Sequence, residues 1–210
     1  MELVDNSKNR LERRKEETRK KIITAAKTLF DKQGFHETTM EQIAEKADVA
    51  KKTLYNHFPV KEAILAEFVE RATKGLAPNL ISKLKDMPDT RTRIIDTFSQ
   101  LLEIAFRQED IFKAYFAYRM YNKFQLPEDR SLKSGGHEYM EAIVKLGQQS
   151  GELRSDLPVA AFLNHLELVL AIIISDLVQP KDDLALRKSI EENVDIFLDG
   201  VRDRGRENGK

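Results

Sequence analysis

The chain of 210 residues contains no cysteine, which excludes disulfide bonds, thiolate catalysis and zinc sites built on cysteine. No apolar run approaches the roughly 20 residues that a membrane span requires, and the longest one covers only residues 168–174. The N-terminus is charged and lacks an apolar signal segment. Proline and glycine are scarce, with six and nine residues, so few positions interrupt regular structure. We therefore expect a cytoplasmic protein with no membrane partner.

Neither sign of charge dominates, because 35 Lys and Arg residues face 35 Asp and Glu residues. Apolar residues make up 41% of the chain and charged residues 33%, a balance that favours long, solvated helices. The charges are unevenly distributed: residues 1–61 hold 14 basic against 10 acidic side chains, and the remainder holds 21 against 25. This asymmetry suggests that the first third meets a polyanion, although an imbalance of this size also arises by chance.

Apolar residues recur at helical spacing along the chain, and no strand alternation or internal repeat stands out. The pattern predicts an all-α fold of about nine helices. Gly34 and Pro59 mark helix ends, and Gly75 with Pro78 marks a further break. We place a domain boundary at that break. The prediction is an N-terminal three-helix domain over 16–76 and a C-terminal helical domain over 77–205.

Two short helices follow the first long one and form the most informative segment. Thr38 with Glu41, or Thr39 with Gln42, has the spacing of a capping box at the start of the first short helix. The second runs from about residue 50 to Pro59 and turns Leu54 and Phe58 inward. A short helix, a tight turn and a second short helix is the helix-turn-helix arrangement. The second helix carries no acidic residue, as a surface facing phosphates requires.

The residues at these positions resemble the DNA-binding domain of the TetR family of transcriptional repressors. The resemblance covers residues 19–65, and its most diagnostic piece is the run 54–58 followed by Lys61. The matching residues are Ile22, Ile23, Ala25, Ala26, Leu29, Phe30, Gly34, Thr38, Thr39, Ile43, Ala44, Ala47, Val49, Thr53, Leu54, Tyr55, His57, Phe58, Lys61 and Leu65.

Three residues depart from the family pattern. Asp48 stands where the turn commonly has glycine, but aspartate tolerates the left-handed backbone better than most residues. Ala50 stands where serine or threonine commonly caps the second short helix, which loses a cap worth about 1 kcal/mol unless Asp48 compensates. Lys52 occupies a position that is often glycine and adds a candidate contact to phosphate or guanine.

The resemblance implies that the second short helix enters the major groove of DNA. Thr39, at a helix N-terminus, can donate to a phosphate. Lysine suits guanine and asparagine suits adenine, so four residues of the second helix are candidates for base edges. Tyr55 and His57 resemble the backbone-contacting pair of the family, with partial core packing as the alternative for Tyr55. The predicted DNA-binding residues are Thr39, Lys51, Lys52, Thr53, Tyr55, Asn56, His57 and Lys61.

The resemblance also implies a homodimer formed through the last two long helices, and a small-molecule cavity among the middle helices. We expect a partly apolar inducer. Plain core packing is the alternative for every candidate lining residue. The candidates are Phe98, Leu102, Phe106, Phe116, Met120, Tyr139, Ile143, His165 and Val169.

Motifs for catalysis are missing from the sequence. There is no Gly-x-Ser-x-Gly elbow, no phosphate-binding loop and no paired-histidine zinc helix. We therefore expect no enzyme, no metal and no cofactor. The hypothesis is a DNA-binding regulator, a repressor released from a palindromic operator by a small molecule. The alternative is a helical interaction or scaffold protein whose basic first third is only a solvated surface.

Overall fold

The structure is a computed structural model that describes residues 2–125, 134–176 and 183–202. These residues form nine α-helices and one short 3₁₀ turn, which confirms the all-α prediction. Within them the pairing of extended backbone is limited to one isolated bridge, between Leu153 and Arg202. The elements are α1 (Glu2–Gln33), α2 (Met40–Lys46), α3 (Lys51–His57), α4 (Lys61–Lys83), the 3₁₀ turn (Leu84–Asp86), α5 (Thr90–Arg107), α6 (Glu109–Gln125), α7 (Gly135–Gln149), α8 (Val159–Asp176) and α9 (Asp183–Val201).

The chain divides into two compact units, each built from two stretches of sequence. Unit 1 comprises residues 1–71 and 108–132, and unit 2 comprises residues 72–107 and 133–210. Helix α4 contributes its first half to unit 1 and its second half to unit 2. Helix α6 belongs to unit 1 although it follows α5 in sequence.

Unit 1 is organised around the apolar faces of α1 to α4. Ile22 and Ala26 of α1, Ile43 of α2 and Leu54 of α3 are fully buried, as their helical spacing predicts. Phe58 closes this core directly after α3. Side chains of α6, among them Ile111, Ala114 and Tyr115, pack against the same core. Sequence spacing does not reveal that last contact, because it joins residues far apart in the chain.

Unit 2 contains the second half of α4 and the helices α5, α7, α8 and α9. The packed pairs are α5 with α7 and α9, and α8 with α7 and α9. The rings of Phe162 and Phe197 meet edge to face between α8 and α9, with centroids 6.5 Å apart. Arg91 of α5 donates to both oxygens of Asp195 of α9, at 2.6 and 2.9 Å.

The predicted helix break at Gly75 and Pro78 is wrong, because α4 continues through both residues to Lys83. A proline inside a helix costs about 3 kcal/mol or more. Pro78 itself is exposed, whereas Ala77 beside it and Leu84 directly after the helix are almost fully buried, so we attribute the continuity to packing of the neighbouring residues. The predicted domain boundary at 76/77 therefore falls within one helix, and it stays a prediction.

No helix in the described part of the chain combines the length and apolarity of a membrane span. Nor do residues 2–125, 134–176 and 183–202 contain a group of three His, Asp or Glu side chains placed to hold a metal ion.

Candidate nucleic-acid interface

The start of α2 is fixed by a capping box on Thr39. The Thr39 hydroxyl accepts the Gln42 backbone N–H at 3.2 Å, and the Gln42 side chain accepts the Thr39 backbone N–H at 2.9 Å. Of the two boxes allowed by the sequence, this is the one that forms. Thr38 is buried and donates its hydroxyl to the Gly34 carbonyl at 2.7 Å. Thr39 remains exposed at a helix N-terminus, where an anion is favoured.

The turn between α2 and α3 has the conformation that its sequence predicts. Asp48 adopts φ of 52°, the left-handed region expected from a position that is glycine in the family pattern. Ala50 is the N-cap of α3 and makes no side-chain cap hydrogen bond. The first backbone N–H groups of α3 therefore receive no hydrogen bond from a capping side chain. Packing of Leu54 into the core is what holds the helix in place.

Helix α3 buries one face and exposes the other. Leu54 is completely buried, and Phe58, which follows the helix, is 1% exposed. The face opposite these two residues carries polar and aromatic side chains that reach solvent. Lys51, Lys52, Tyr55 and Asn56 are exposed, and Thr53 and His57 are half-buried. The six residues predicted on this helix are all of its residues except Leu54, and we call the surface that they present the α3 face.

The two lysines of the α3 face differ in their surroundings. Lys51 Nζ lies 3.6 Å from a carboxylate oxygen of Glu41 on α2. Lys52 has no carboxylate partner among the described residues. Because both side chains are exposed, the Lys51–Glu41 pair contributes little to stability. The arrangement leaves Lys52 as the freer cation for a base edge or a phosphate.

Lys61 lies in the first turn of α4, where a cation is disfavoured by the helix dipole. Its ammonium donates to the backbone carbonyls of Phe35, His36 and Thr38, at 2.7, 3.2 and 3.1 Å. It also lies 4.5 Å from the centre of the Phe35 ring. These contacts offset the unfavourable dipole and hold the loop that leads into α2. The role of Lys61 as a phosphate contact stays a prediction, and the carbonyl contacts were not foreseen because the two segments are distant in sequence.

His57 ends α3 beside two cations of α1. Burial lowers the pKa of His57, and the positive charges of Arg19 and Lys15 lower it further. The imidazole is therefore neutral over a wider pH range than usual. Its Nδ1 atom is buried and has no hydrogen-bond partner among the described residues. A neutral ring with Nε2 carrying the proton could still donate to a phosphate.

The predicted ligand residues are divided between the two units. Phe116 and Met120 belong to unit 1, where the Phe116 ring stacks on Phe112 with centroids 6.2 Å apart. The others belong to unit 2, and the side chain of Phe106 lies outside the described residues. In unit 2, Phe98, Leu102 and Ile143 are buried, Tyr139 and Val169 are half-buried, and His165 is exposed.

Tyr139 is the polar member of the unit 2 set. Burial raises its pKa, and a hydrogen bond with Thr97 of α5 opposes that shift in part. Two open depressions occur elsewhere, on the α1 surface of unit 1, and neither contains a predicted ligand residue. One is lined by Leu11, Glu12, Arg14, Lys15 and Thr18, and the other by Lys20, Lys21, Thr24, Ala25, Thr28, Lys46 and Ala47.

Comparison with known proteins identifies the segment that carries these features. The family described as bacterial regulatory proteins, tetR family, matches residues 22–68. The HTH-type transcriptional regulator UidR of Escherichia coli K12 is 22% identical over 188 residues, covering 88% of this chain and 92% of UidR. The crystal structure of Thermus thermophilus FadR, a TetR-family repressor in complex with lauroyl-CoA, superposes with a TM-score of 0.66. Its sequence is 25% identical, and the match covers 91% of this chain and all of that one.

Residues 22–68 match the TetR family, and the comparisons together support a TetR-family transcriptional regulator. The resemblance inferred from residues 19–65 is thereby confirmed, together with the helix-turn-helix and the function of a DNA-binding transcription regulator. TetR-family proteins regulate transcription and are not enzymes, so the preference for a regulator over an enzyme is confirmed as well. A further relative, the transcriptional activator FasR of Mycolicibacterium smegmatis, is 31% identical over 98 residues. That match covers 45% of this chain and 44% of FasR.

Proposed function

We propose that the protein is a homodimeric repressor that binds a palindromic operator through α3 and leaves it when a small molecule binds. The observation that carries this proposal is the α3 face, a polar surface opposite a fully buried Leu54. A short helix of this kind, anchored in the core by Leu54, suits insertion into the major groove. An operator-binding protein works at the chromosome, so the proposal places it in the cytoplasm.

The residues of the α3 face divide into two proposed roles. Lys52 and Asn56, both exposed, have the side chains that read guanine and adenine edges, with Lys51 and Thr53 beside them. Thr39, Tyr55 and His57 contact the phosphate backbone, which fixes the register of the helix without reading sequence. Tyr55 is 45% exposed, which leaves its hydroxyl free for such a contact.

The proposed dimer interface lies on α8 and α9. Large apolar side chains of both helices remain exposed in the single chain: Leu168 at 47%, Ile172 at 52%, Leu184 at 76% and Ile196 at 74%. Exposed apolar surface of this kind marks contact sites for other proteins. A two-fold dimer would give two α3 helices, as a palindromic operator requires.

The proposed ligand site lies in unit 2, near Tyr139. The side chains of Phe98, Leu102 and Ile143 supply apolar surroundings, and the Tyr139 hydroxyl with Thr97 supplies a polar group. Such a mixture suits a partly apolar molecule. FadR was crystallised with lauroyl-CoA, so a molecule with an acyl chain is the first ligand class to test.

Operator binding is tested with duplexes that the wild-type protein enriches from a random pool. Lys52→Ala and Asn56→Ala should each weaken binding to the enriched duplex by about 1–3 kcal/mol, with little change on a scrambled duplex. Lys27→Ala is the matched control, because Lys27 pairs with Asp31 on the exposed side of α1. Equal losses on the enriched and the scrambled duplex would remove Lys52 and Asn56 from the base-reading role.

The dimer interface is tested by the molar mass in solution. Ile172→Glu should convert dimers into folded monomers, because a carboxylate cannot be buried unpaired in an apolar interface. Ile104→Glu is the control, since Ile104 is 56% exposed on α5. A dimer that survives both Ile172→Glu and Ile196→Glu would place the interface elsewhere.

Ligand response is tested by adding lauroyl-CoA to the complex of the wild-type protein with its enriched duplex. Release of the duplex, reduced by Tyr139→Phe, would support a repressor that senses acyl compounds. Tighter DNA binding would instead indicate an activator, the function that the name of the relative FasR carries. No effect of lauroyl-CoA at concentrations that saturate FadR would exclude this ligand class.

A further inference from the structure

Arg19 connects three helices of unit 1 from a single position on α1. Its guanidinium lies 4.5 Å from the centre of the Phe58 ring, directly after α3. Nη1 lies 3.5 Å from the carbonyl oxygen of His57, the last residue of α3. Nε donates to Glu67 of α4 at 3.1 Å, and Nη2 donates to the other oxygen of the same carboxylate. A positive charge beside the C-terminus of a helix is favourable, because the last carbonyls carry partial negative charge.

Glu67 holds the guanidinium of Arg19 in this place. Glu67 is 9% exposed, so few other orientations are open to it. Burial opposes its ionisation, but hydrogen bonds from Arg19 and Arg71 outweigh burial and keep the pKa of Glu67 below its ordinary value. The carboxylate is therefore charged at neutral pH, and a two-point contact with Arg19 fixes the plane of the guanidinium.

A second ion pair between the same helices does not reach α3. Arg71 of α4 donates to both oxygens of Glu16 on α1, at 2.6 and 3.1 Å, and also to Glu67. Glu16 and Glu67 thus both join α1 to α4. Only Glu67 also supports the contact with the end of α3, so Glu16 provides an internal comparison.

We propose that Arg19 and Glu67 are positioning residues for DNA recognition, which hold the C-terminal end of α3 in the orientation that reads the operator. The proposal rests on the proposed operator binding by α3. Asn56 and His57 are adjacent to the Arg19 contact, so a shift of this end moves a base-reading side chain and a phosphate contact together. Neither Arg19 nor Glu67 touches DNA in this account.

The matched variants are Glu67→Gln and Glu16→Gln. Both keep the size of the side chain and remove one charge from the network between α1 and α4. Glu67→Gln should weaken binding to the enriched duplex about tenfold, because it loosens Arg19. Glu16→Gln should change it less than about twofold, because Arg19 keeps both of its contacts with Glu67. Binding to a scrambled duplex depends on charge rather than orientation, and each variant removes one negative charge, so both should strengthen it slightly and to a similar extent.

Arg19→Lys separates orientation from charge. Lysine keeps the positive charge near α3 but cannot bind Glu67 through two parallel hydrogen bonds while lying flat on Phe58. It should therefore lose specific affinity as Glu67→Gln does. In hydrogen exchange, both variants should show faster exchange of the amides at the end of α3, and Glu16→Gln should not.

A buried charge left without its partner can unfold a protein, so a double variant guards against that outcome. Arg19→Met with Glu67→Leu replaces the pair by apolar side chains of similar size, which proteins often tolerate. This variant should fold and dimerise, but it should bind the enriched duplex more weakly than the wild type does. Wild-type affinity in the double variant, or equal effects of Glu67→Gln and Glu16→Gln, would overturn the proposal. If the wild-type protein enriches no duplex at all, the proposed operator binding is wrong and the positioning role is wrong with it. If the wild type enriches a duplex and Glu67→Gln binds that duplex as well as the wild type does, only the positioning role is wrong.

Discussion

The two units encode function in different ways. In unit 1, most of the proposed DNA-binding residues lie on or beside helices of seven residues, close to a cap or a buried anchor. In unit 2, the ligand candidates Phe98, Leu102 and Ile143 are buried among helices of 15 to 19 residues and look like any other core residue. A surface that reads DNA can therefore be recognised from local spacing, whereas a ligand site depends on how distant helices pack.

The stabilising contacts differ in the same direction. Unit 1 places two cations on phenylalanine rings, Arg19 on Phe58 and Lys61 on Phe35, and each also binds backbone carbonyls. Unit 2 holds its cations differently, with Arg93 on the carbonyls of Leu84 and Met87 and Arg91 on Asp195, and it adds close helix contacts at Gly135 and Gly147 of α7. Both units therefore contain fixed polar contacts, and the difference is that the cations of unit 1 also lie on aromatic rings whereas unit 2 has close contacts at glycine.

The largest effects are expected from truncating one buried ring in each unit. Phe58→Ala and Phe162→Ala remove side chains that are both 1% exposed, and each should lower the free energy of unfolding by about 3–5 kcal/mol. If the units differ as described, only Phe58→Ala should also weaken DNA binding at temperatures where the protein is folded. Chemical denaturation and duplex titration measure the two effects, and equal loss of DNA binding in both variants would contradict the division of labour.

Removing the Lys61 contacts should have the next largest effect. Lys61→Met deletes three charge-assisted hydrogen bonds to carbonyls and should lower the free energy of unfolding by about 1.5–3 kcal/mol. Lys113→Met is the control, since Lys113 makes only an exposed pair with Glu109 on its own helix. The salt dependence of DNA binding decides between the two roles of Lys61: a phosphate contact predicts a slope reduced by about one unit, and a loop anchor predicts an unchanged slope.

A neighbouring pair of glycines tests the packing of unit 2. A Cβ at Gly135 would lie 2.1 Å from the Thr73 carbonyl oxygen of α4, whereas at Gly136 its nearest neighbour is the Ser134 hydroxyl at 3.5 Å. Gly135→Ala should therefore destabilise the protein by about 1–3 kcal/mol. Gly136→Ala should be neutral or slightly stabilising, because alanine favours a helix. Thermal unfolding compares the two, and equal midpoints would show that α4 and α7 yield easily at this crossing.

Unit 1 should gain stability from a restored cap. Ala50→Ser supplies the hydroxyl that α3 lacks at its N-cap and should raise the free energy of unfolding by about 1 kcal/mol. Ala117→Ser, in the interior of α6 and exposed, should not stabilise. A destabilised Ala50→Ser variant would mean that the backbone at Ala50, with ψ of 143°, does not suit a serine cap.

The smallest expected effect is the pH dependence contributed by His57. Its pKa in the folded chain is lowered, chiefly by burial, so the unfolded chain takes up this proton first as the pH falls below about 6.5. The contribution of His57 to the free energy of unfolding should therefore be fully present above that pH and should be lost as the pH falls below it. His57→Gln should make the decline shallower. An unchanged pH profile would show that His57 is solvated in solution.

The same contrast explains how much the sequence could predict. The helix-turn-helix, the left-handed Asp48 and the uncapped Ala50 follow from neighbours within a few residues, and all three are confirmed. The continuation of α4 through Pro78 was missed because burial of Ala77 depends on partners elsewhere in the fold. The partners of Arg19 and Lys61 were missed for the same reason. Arg19 lies 48 residues from Glu67, so no local pattern links them.

The central claim is that α3 reads DNA sequence through Asn56 and Lys52. The most direct test is to enrich random duplexes separately with the wild-type protein and with Asn56→Ala, and to compare the two enriched sequences. The wild type should enrich a two-fold symmetric site with half-sites about one helical turn apart. With Asn56→Ala, the preference should be lost at one symmetric pair of positions and kept at the others. An identical site for both proteins, or no enriched sequence for the wild type, would contradict the claim.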